Sequence, residues 1–146
     1  MSTVSPIPEG YSRVCPYLMV KETEVLRDFL LAVFDAEVIN ELKNPDGTVA
    51  HLEVRIVDTV IMAGRARGGM TATSSTLYVY VEDVDLTYQR ALDAGAQSFM
   101  APEEAFYGDR TCAVNDPSGN QWWIASQVKH VPTEEAERLM AAQRGN

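Results

Sequence analysis

Three polar side chains at alternate positions, His51, Glu53 and Arg55, carry the clearest acid–base chemistry of this 146-residue chain. If they lie on one β-strand, alternation places all three on one face, so that the carboxylate of Glu53 can orient the imidazole of His51. An imidazole oriented in this way transfers protons near neutral pH. The same row is also typical of a solvated strand face that carries a weak ion pair. Proton transfer is therefore one of two interpretations.

Aromatic and sulfur side chains with matching alternation predict the lining of a small-molecule pocket. Apolar residues of one parity, such as Leu52 and Val54, are expected to face the core, and the residues between them share the opposite face. Trp122 and Trp123 divide in the same way, with Trp122 packed beneath a helix. Aromatic walls with few polar groups are typical of ligand pockets, although such rings also fill small cores or dimer seams. Besides His51 and Glu53, the candidate ligand-binding residues are Tyr17, Arg55, Met62, Thr76, Tyr78, Tyr80, Tyr107, Arg110 and Trp123.

The charge and composition argue against several classes of partner. Lys and Arg number 12 against 21 Asp and Glu, and the resulting net charge of −9 repels nucleic acids and anionic lipid surfaces. The longest apolar run, residues 29–34, is far shorter than the roughly 20 residues of a membrane-spanning helix. The N-terminus has no basic and apolar export signal. With Cys15 and Cys112 interpreted as reduced thiols, we expect a cytoplasmic protein.

The hydrophobic pattern predicts an α+β domain built from a duplicated unit. Each unit reads as a strand, a helix and three further strands, with a period of about 60 residues. We assign residues 1–13 to an N-terminal arm, residues 14–66 and 74–130 to the two modules, and residues 67–73 to a linker. Residues 131–146 are expected to form a C-terminal helix and tail.

Several motifs resemble those of one superfamily. They are PYLMV at residues 16–20, AHLEVRI at residues 50–56, YGDR at residues 107–110 and NDPSGNQWWIA at residues 115–125. Together with the duplicated order, they resemble the vicinal oxygen chelate superfamily, which includes glyoxalases, bleomycin-resistance proteins and extradiol dioxygenases, and more narrowly its PhnB-like branch. The resemblance implies curled mixed sheets with helices on the convex side, a ligand on the concave side, and a homodimer.

The resemblance also identifies the positions at which metal-dependent members hold their ion. These positions correspond to Cys15, Met62, Thr76 and Trp123 in this sequence. A hard divalent ion needs several carboxylate or imidazole donors, which a thioether, a hydroxyl and an indole do not replace. We therefore expect neither a metal nor another cofactor.

These observations lead to one expected function and three alternatives. The expected function is metal-free binding of a small aromatic or amphipathic molecule by a glyoxalase/bleomycin-resistance-type protein. The first alternative is a lyase or isomerase in which His51 and Glu53 move a proton while Tyr17 or Tyr78 stabilises an oxyanion. The others are a metal-dependent glyoxalase or dioxygenase and a dimeric structural module.

Overall fold

The computed structural model describes residues 3–145 and contains two units of the same order. The first unit consists of β1 (Tyr17–Val20), α1 (Thr23–Phe34), β2 (Glu37–Lys43), β3 (Val49–Ile56) and β4 (Thr59–Arg65). The second consists of β5 (Thr76–Tyr80), α2 (Val84–Asp93), β6 (Gln97–Glu104), β7 (Asp109–Asn115) and β8 (Gln121–Gln127), and α3 (Thr133–Gln143) follows it. This order confirms the predicted α+β class.

Each unit forms a four-stranded mixed sheet whose first and last strands are neighbours. The strand orders are β1-β4-β3-β2 and β5-β8-β7-β6. In each sheet the first pair is parallel and the others are antiparallel. Tyr17 lies beside Met62 in the first sheet, and Tyr78 lies beside Trp123 in the second, so that both members of the pair recur after 61 residues. The duplication therefore extends to the strand register.

Helices α1 and α2 cover one face of each sheet and join the two units through a common core. Leu52 and Val54 of β3 are fully buried against this helical layer, as their parity predicts. Trp122 is 1% exposed, and its ring centroid lies 5.1 Å from that of Phe34 at the end of α1. Helices α1 and α2 also contact each other. The opposite sheet faces, called the outer faces below, therefore carry the side chains that remain available for ligands.

Local sequence explains the helices that build this core. Phe29, Leu30 and Val33 of α1 are buried at the spacing of three and four that one helical face requires. The carboxylate of Asp83 caps α2 by accepting a hydrogen bond from the backbone of Leu86 at 3.0 Å. Within residues 3–145, no helix combines the length and apolarity that a membrane crossing requires.

Candidate functional site

A chain of hydrogen bonds crosses the outer face of the first sheet. The hydroxyl oxygen of Tyr17 lies 3.1 Å from Nδ1 of His51, and Nε2 of His51 lies 2.7 Å from the carboxylate of Glu53. The hydroxyl of Tyr11 donates to the other oxygen of that carboxylate. A neutral imidazole that donates from Nε2 to Glu53 accepts at Nδ1, so the phenol of Tyr17 is the donor there. The imidazole thus connects a phenol to a carboxylate.

A glycine in β4 makes room for this arrangement. Gly64 is the strand partner of His51, and the ring of Tyr17 lies across it. A Cβ atom at position 64 would stand 2.5 Å from the hydroxyl oxygen of Tyr17, too close for any unstrained contact. The missing side chain therefore allows Tyr17 to reach His51.

The N-terminal arm lies over the carboxylate end of the same network. Besides the contact of Tyr11 with Glu53, Nη1 of Arg55 donates to the backbone oxygen of Gly10 at 3.1 Å. A cavity of about 360 Å³ lies between the arm and the sheet, and Cys15 and Met62 line it together with Glu53. The arm therefore shields Glu53 and leaves the phenol of Tyr17 uncovered.

The hydrogen bonds around Glu53 determine its protonation. Burial by itself raises the pKa of Glu53, but the hydrogen bonds from His51 and Tyr11 outweigh this effect and the net pKa lies below its ordinary value. The hydrogen bond to Glu53 in turn raises the pKa of Tyr11. At neutral pH the carboxylate is ionised and the Tyr11 phenol keeps its proton.

The outer face of the second sheet places aromatic rings around a buried carboxylate. Asp109 is 6% exposed and accepts hydrogen bonds from the hydroxyls of Tyr78 at 2.7 Å and Tyr80 at 3.4 Å. The hydroxyl of Tyr107 lies 3.4 Å from that of Tyr78. The two β5 rings are 5.4 Å apart and inclined at 59°. No Lys, Arg or His side chain within the described residues forms an ion pair with Asp109.

Burial and these hydrogen bonds strongly raise the pKa of Tyr78, and burial also raises the pKa of Tyr80. A phenol with a raised pKa keeps its proton in the folded protein at pH values at which the unfolded chain releases it. The contribution of these phenols to folding stability is therefore fully present below the ordinary tyrosine pKa of 10.0, and it falls as pH rises above that value.

We accordingly expect the free energy of unfolding to fall as pH rises above the ordinary tyrosine pKa, and to fall less steeply in Tyr78→Phe, which lacks one of these phenols. Urea unfolding between about pH 9 and pH 11 measures both slopes. A Tyr78→Phe protein with the slope of the wild type would contradict this interpretation.

Most of the sequence-predicted residues share the two outer faces. Tyr17, His51, Glu53, Arg55 and Met62 lie on the first, and Thr76, Tyr78, Tyr80 and Trp123 lie on the second, with Tyr107 in the turn before β7.

Arg110, another candidate ligand-binding residue, lies on the helical side of the second sheet. Its guanidinium makes two hydrogen bonds to the carboxylate of Asp85 on α2, at 2.8 and 2.9 Å. The physical reason is the alternation of β7, which begins at Asp109. Asp109 faces outward, and the next side chain must then face the helix.

The sequence analysis missed four residues of the two outer faces. Asp109 was left out because the role of its motif, YGDR, was interpreted as structural. Phe99, whose ring packs edge-on against Trp123 at 6.0 Å, lies within a register shift of β6 that disturbs alternation. Tyr11 belongs to the arm, which has no periodic pattern. Gly64 had a usable signal, since an isolated glycine in a strand often marks a close approach.

The donors on these faces do not fit a divalent metal. Of the four positions implied by the resemblance, Met62 and Trp123 stand beside tyrosines on the outer faces, and Thr76 is exposed. In the part of the chain that the structure describes, no three His, Cys, Asp or Glu side chains are grouped closely enough to hold a metal ion. The donor chemistry available here is that of hydrogen bonding and proton transfer.

Comparisons with known proteins agree with this architecture. The model of the Glyoxalase/Bleomycin resistance protein/Dioxygenase superfamily matches residues 12–124. The uncharacterized protein Rv0887c of Mycobacterium tuberculosis is 34% identical over 139 residues, which cover 88% of this chain and 82% of that protein.

Two solved structures illustrate the similarity of fold. TioX from Micromonospora sp. ML1 has a TM-score of 0.64 at 23% identity, and the match covers 83% of this chain and 100% of TioX. A PhnB protein from Bacillus cereus has a TM-score of 0.62 at 18% identity, with 79% of this chain and 99% of that chain covered. At these identities, both similarities concern the fold alone.

Proposed function

We propose that this chain, which belongs to the Glyoxalase/Bleomycin resistance protein/Dioxygenase superfamily, is a metal-free member. Its proposed ligand is a small aromatic or amphipathic cation. The observation that carries the proposal is the buried carboxylate of Asp109 beneath the exposed rings of Tyr78 and Tyr80. The ligand is proposed to lie on the outer face of the second sheet, against these rings and Trp123.

The hydrogen bonds of this face favour a positively charged ligand. Because Tyr78 and Tyr80 donate their protons to Asp109, their oxygens present lone pairs and their rings present electron-rich faces. A cation over such a ring gains about 0.5–1 kcal/mol when exposed and about 2 kcal/mol when desolvated. The carboxylate of Asp109, which forms no ion pair among the described residues, attracts a cationic ligand and repels a phosphate or carboxylate ligand.

The space beside these rings suits a small molecule. A groove of about 650 Å³ runs along β5 between the two units, and Tyr17, Tyr78 and Tyr80 line it, whereas Asp109 and Trp123 lie outside its lining. Ligand pockets of roughly 300–1,000 Å³ bury most of a drug-sized molecule. The groove is therefore large enough for a bicyclic aromatic compound with a short polar chain.

A homodimer and a cytoplasmic location are part of the same proposal. Tyr80 is 65% exposed and Phe99 is 59% exposed, and a second copy of the chain would cover this apolar surface. Cys15 and Cys112 are both free thiols, in keeping with a reducing compartment.

Three indole compounds that differ mainly in charge test the ligand class. We expect the cation tryptamine to bind at least about tenfold more tightly than the neutral 3-methylindole and the anion indole-3-acetate, which corresponds to about 1.4 kcal/mol. In Asp109→Asn, whose amide oxygen still accepts from the tyrosines, this preference should disappear. Isothermal titration calorimetry measures the affinities, and the rise in melting temperature provides a second readout.

The matched control is Asp93→Asn, which makes the same charge change on the exposed surface of α2. It should retain the preference of the wild type for tryptamine. Equal affinities for all three compounds in the wild type would contradict the cationic ligand. Stoichiometric metal held by outer-face side chains, in protein purified without chelator, would contradict the metal-free assignment.

A further inference from the structure

We infer that the outer face of the first sheet is a second, catalytic site, in which Tyr17, His51 and Glu53 form a proton relay that enolises small carbonyl compounds. The relay lies on the other sheet from the rings around Asp109, although Tyr17 also lines the groove beside them, and the inference does not rest on the ligand proposed there. It requires no metal, because every proton acceptor and donor belongs to the chain.

The hydrogen-bond partners exclude the interpretation of this row as a solvated ion pair. Glu53 pairs with His51 and Tyr11, whereas Arg55 donates to the backbone of Gly10. The side chains of His51 and Glu53 are only 22% and 12% exposed, while Tyr17 is 47% exposed. The base is thus shielded, and the phenol faces the solvent from which a substrate arrives.

The relay is held in place from three directions. Both carboxylate oxygens of Glu53 accept a hydrogen bond, which fixes the carboxylate and through it the imidazole. Gly64 allows the Tyr17 ring to lie 5.6 Å from the His51 ring, centroid to centroid, at an inclination of 33°. Such positioning of a base and its donor before the substrate binds is what efficient proton transfer requires.

The proposed step moves one proton and leaves the oxidation state of the substrate unchanged. The phenol oxygen of Tyr17 takes a proton from the carbon next to the carbonyl, and its own proton passes to Nδ1 of His51. The C–H electron pair forms the C=C bond of an enolate, and the imidazolium is stabilised by Glu53. Reversal of the transfer returns a proton to the enolate at the same or the neighbouring carbon, giving exchange or isomerisation. No co-reactant is consumed.

The side chains that face His51 come from three elements of the fold. Tyr17 approaches from β1, Glu53 from β3 and Tyr11 from the arm, and Arg55 is the next charged side chain on the same strand face. The β2 partners of His51 and Glu53 are the uncharged Leu42 and Asn40. Among the described residues, the guanidinium of Arg55 donates to the backbone of Gly10, and Arg13 lines the cavity between the arm and Glu53.

Nuclear magnetic resonance tests the relay without a substrate. The chain has two histidines, so ¹⁵N labelling of His51 and His130 gives two assignable rings. From about pH 5 to 9, we expect the ¹³Cζ signal of Tyr17 to shift together with the ring nitrogens of His51. His51→Gln should abolish the shift, and His130→Gln should leave it unchanged. A Tyr17 signal that stays constant while the ring nitrogen signals of His51 shift overturns the relay.

Deuterium exchange tests the reaction. The probes are hydroxyketones, 2-oxo acids and β-keto esters in D₂O, and loss of their α-protons is followed by ¹H spectra. The wild type should accelerate exchange of at least one class, and Tyr17→Phe and His51→Gln should each lower the rate at least about tenfold. Tyr88→Phe removes a hydroxyl that instead bonds Ser98 beside α2, and it should retain the wild-type rate.

Two results overturn the enolisation. The first is an exchange rate of the wild type that equals that of buffer for every probe, and the second is an unchanged rate in both relay variants. Circular dichroism establishes that each variant is folded before its rate is compared. Tryptamine binding and its dependence on Asp109 are measured independently, so failure of the relay and failure of the proposed ligand site are distinguishable.

Discussion

Trp122→Ala is expected to lower the free energy of unfolding by about 3–5 kcal/mol, the range for removing a fully buried aromatic side chain. Trp122 is 1% exposed and packs against Phe34 of the other unit, so its loss opens a cavity in the common core. Its indole nitrogen also donates to the carboxylate of Asp116 at 2.8 Å, within the core. Removal of the donor leaves that buried oxygen without its hydrogen bond, which adds to the loss.

The next residue provides a matched control for this prediction. Trp123 points to the outer face and is only half-buried, and its indole donates to Gln121 at 2.8 Å. Trp123→Ala should therefore cost about 1 kcal/mol in stability while weakening the binding of tryptamine. Urea unfolding and calorimetry on both variants separate the two effects. Equal losses of stability would show that the two side chains are not divided between core and ligand face.

Gly108→Ala is expected to destabilise the protein by about 3 kcal/mol or more, because left-handed strain and a backbone collision act together. Gly108 has a φ of +103°, which L-residues rarely adopt. A Cβ atom there would collide with the backbone oxygen of Lys129, which no side-chain movement relieves. The carbonyl of Gly108 also accepts from the backbone of Val128 and Lys129, so the collision breaks the anchor of the chain beyond β8.

Gly47→Ala separates the strain from the collision. Gly47 has a φ of +90° and nothing within 4 Å of the position of a Cβ atom. The substitution should therefore lower the free energy of unfolding by only about 1–2 kcal/mol. Because Gly108 lies between Tyr107 and Asp109, its variant should also lose the preference for cationic indoles. Thermal and urea unfolding with tryptamine titration test both consequences. Similar stability of the two variants would show that the chain beyond β8 moves aside without cost.

Alternation predicted the division of side chains wherever a strand was regular. Leu52 and His51 face opposite sides as expected, and so do Trp122 and Trp123. Arg110 was a candidate because of its motif and not because of alternation, and in β7 its side chain faces the helix while that of Asp109 faces outward. Asp109 belongs to the same motif, whose role was interpreted as structural, although the proposed ligand preference depends on its carboxylate.

Sequence alone determined the order of the elements, the duplication and the superfamily, because these depend on hydrophobic periodicity and on motifs that are local in the chain. Only the tertiary structure decided the chemistry of the two outer faces. Tyr11 and Glu53 are 42 residues apart in sequence, and Tyr78 and Asp109 are 31 apart, yet each pair is hydrogen-bonded. Such contacts depend on how the strands and the arm lie against one another, and no local pattern encodes that packing.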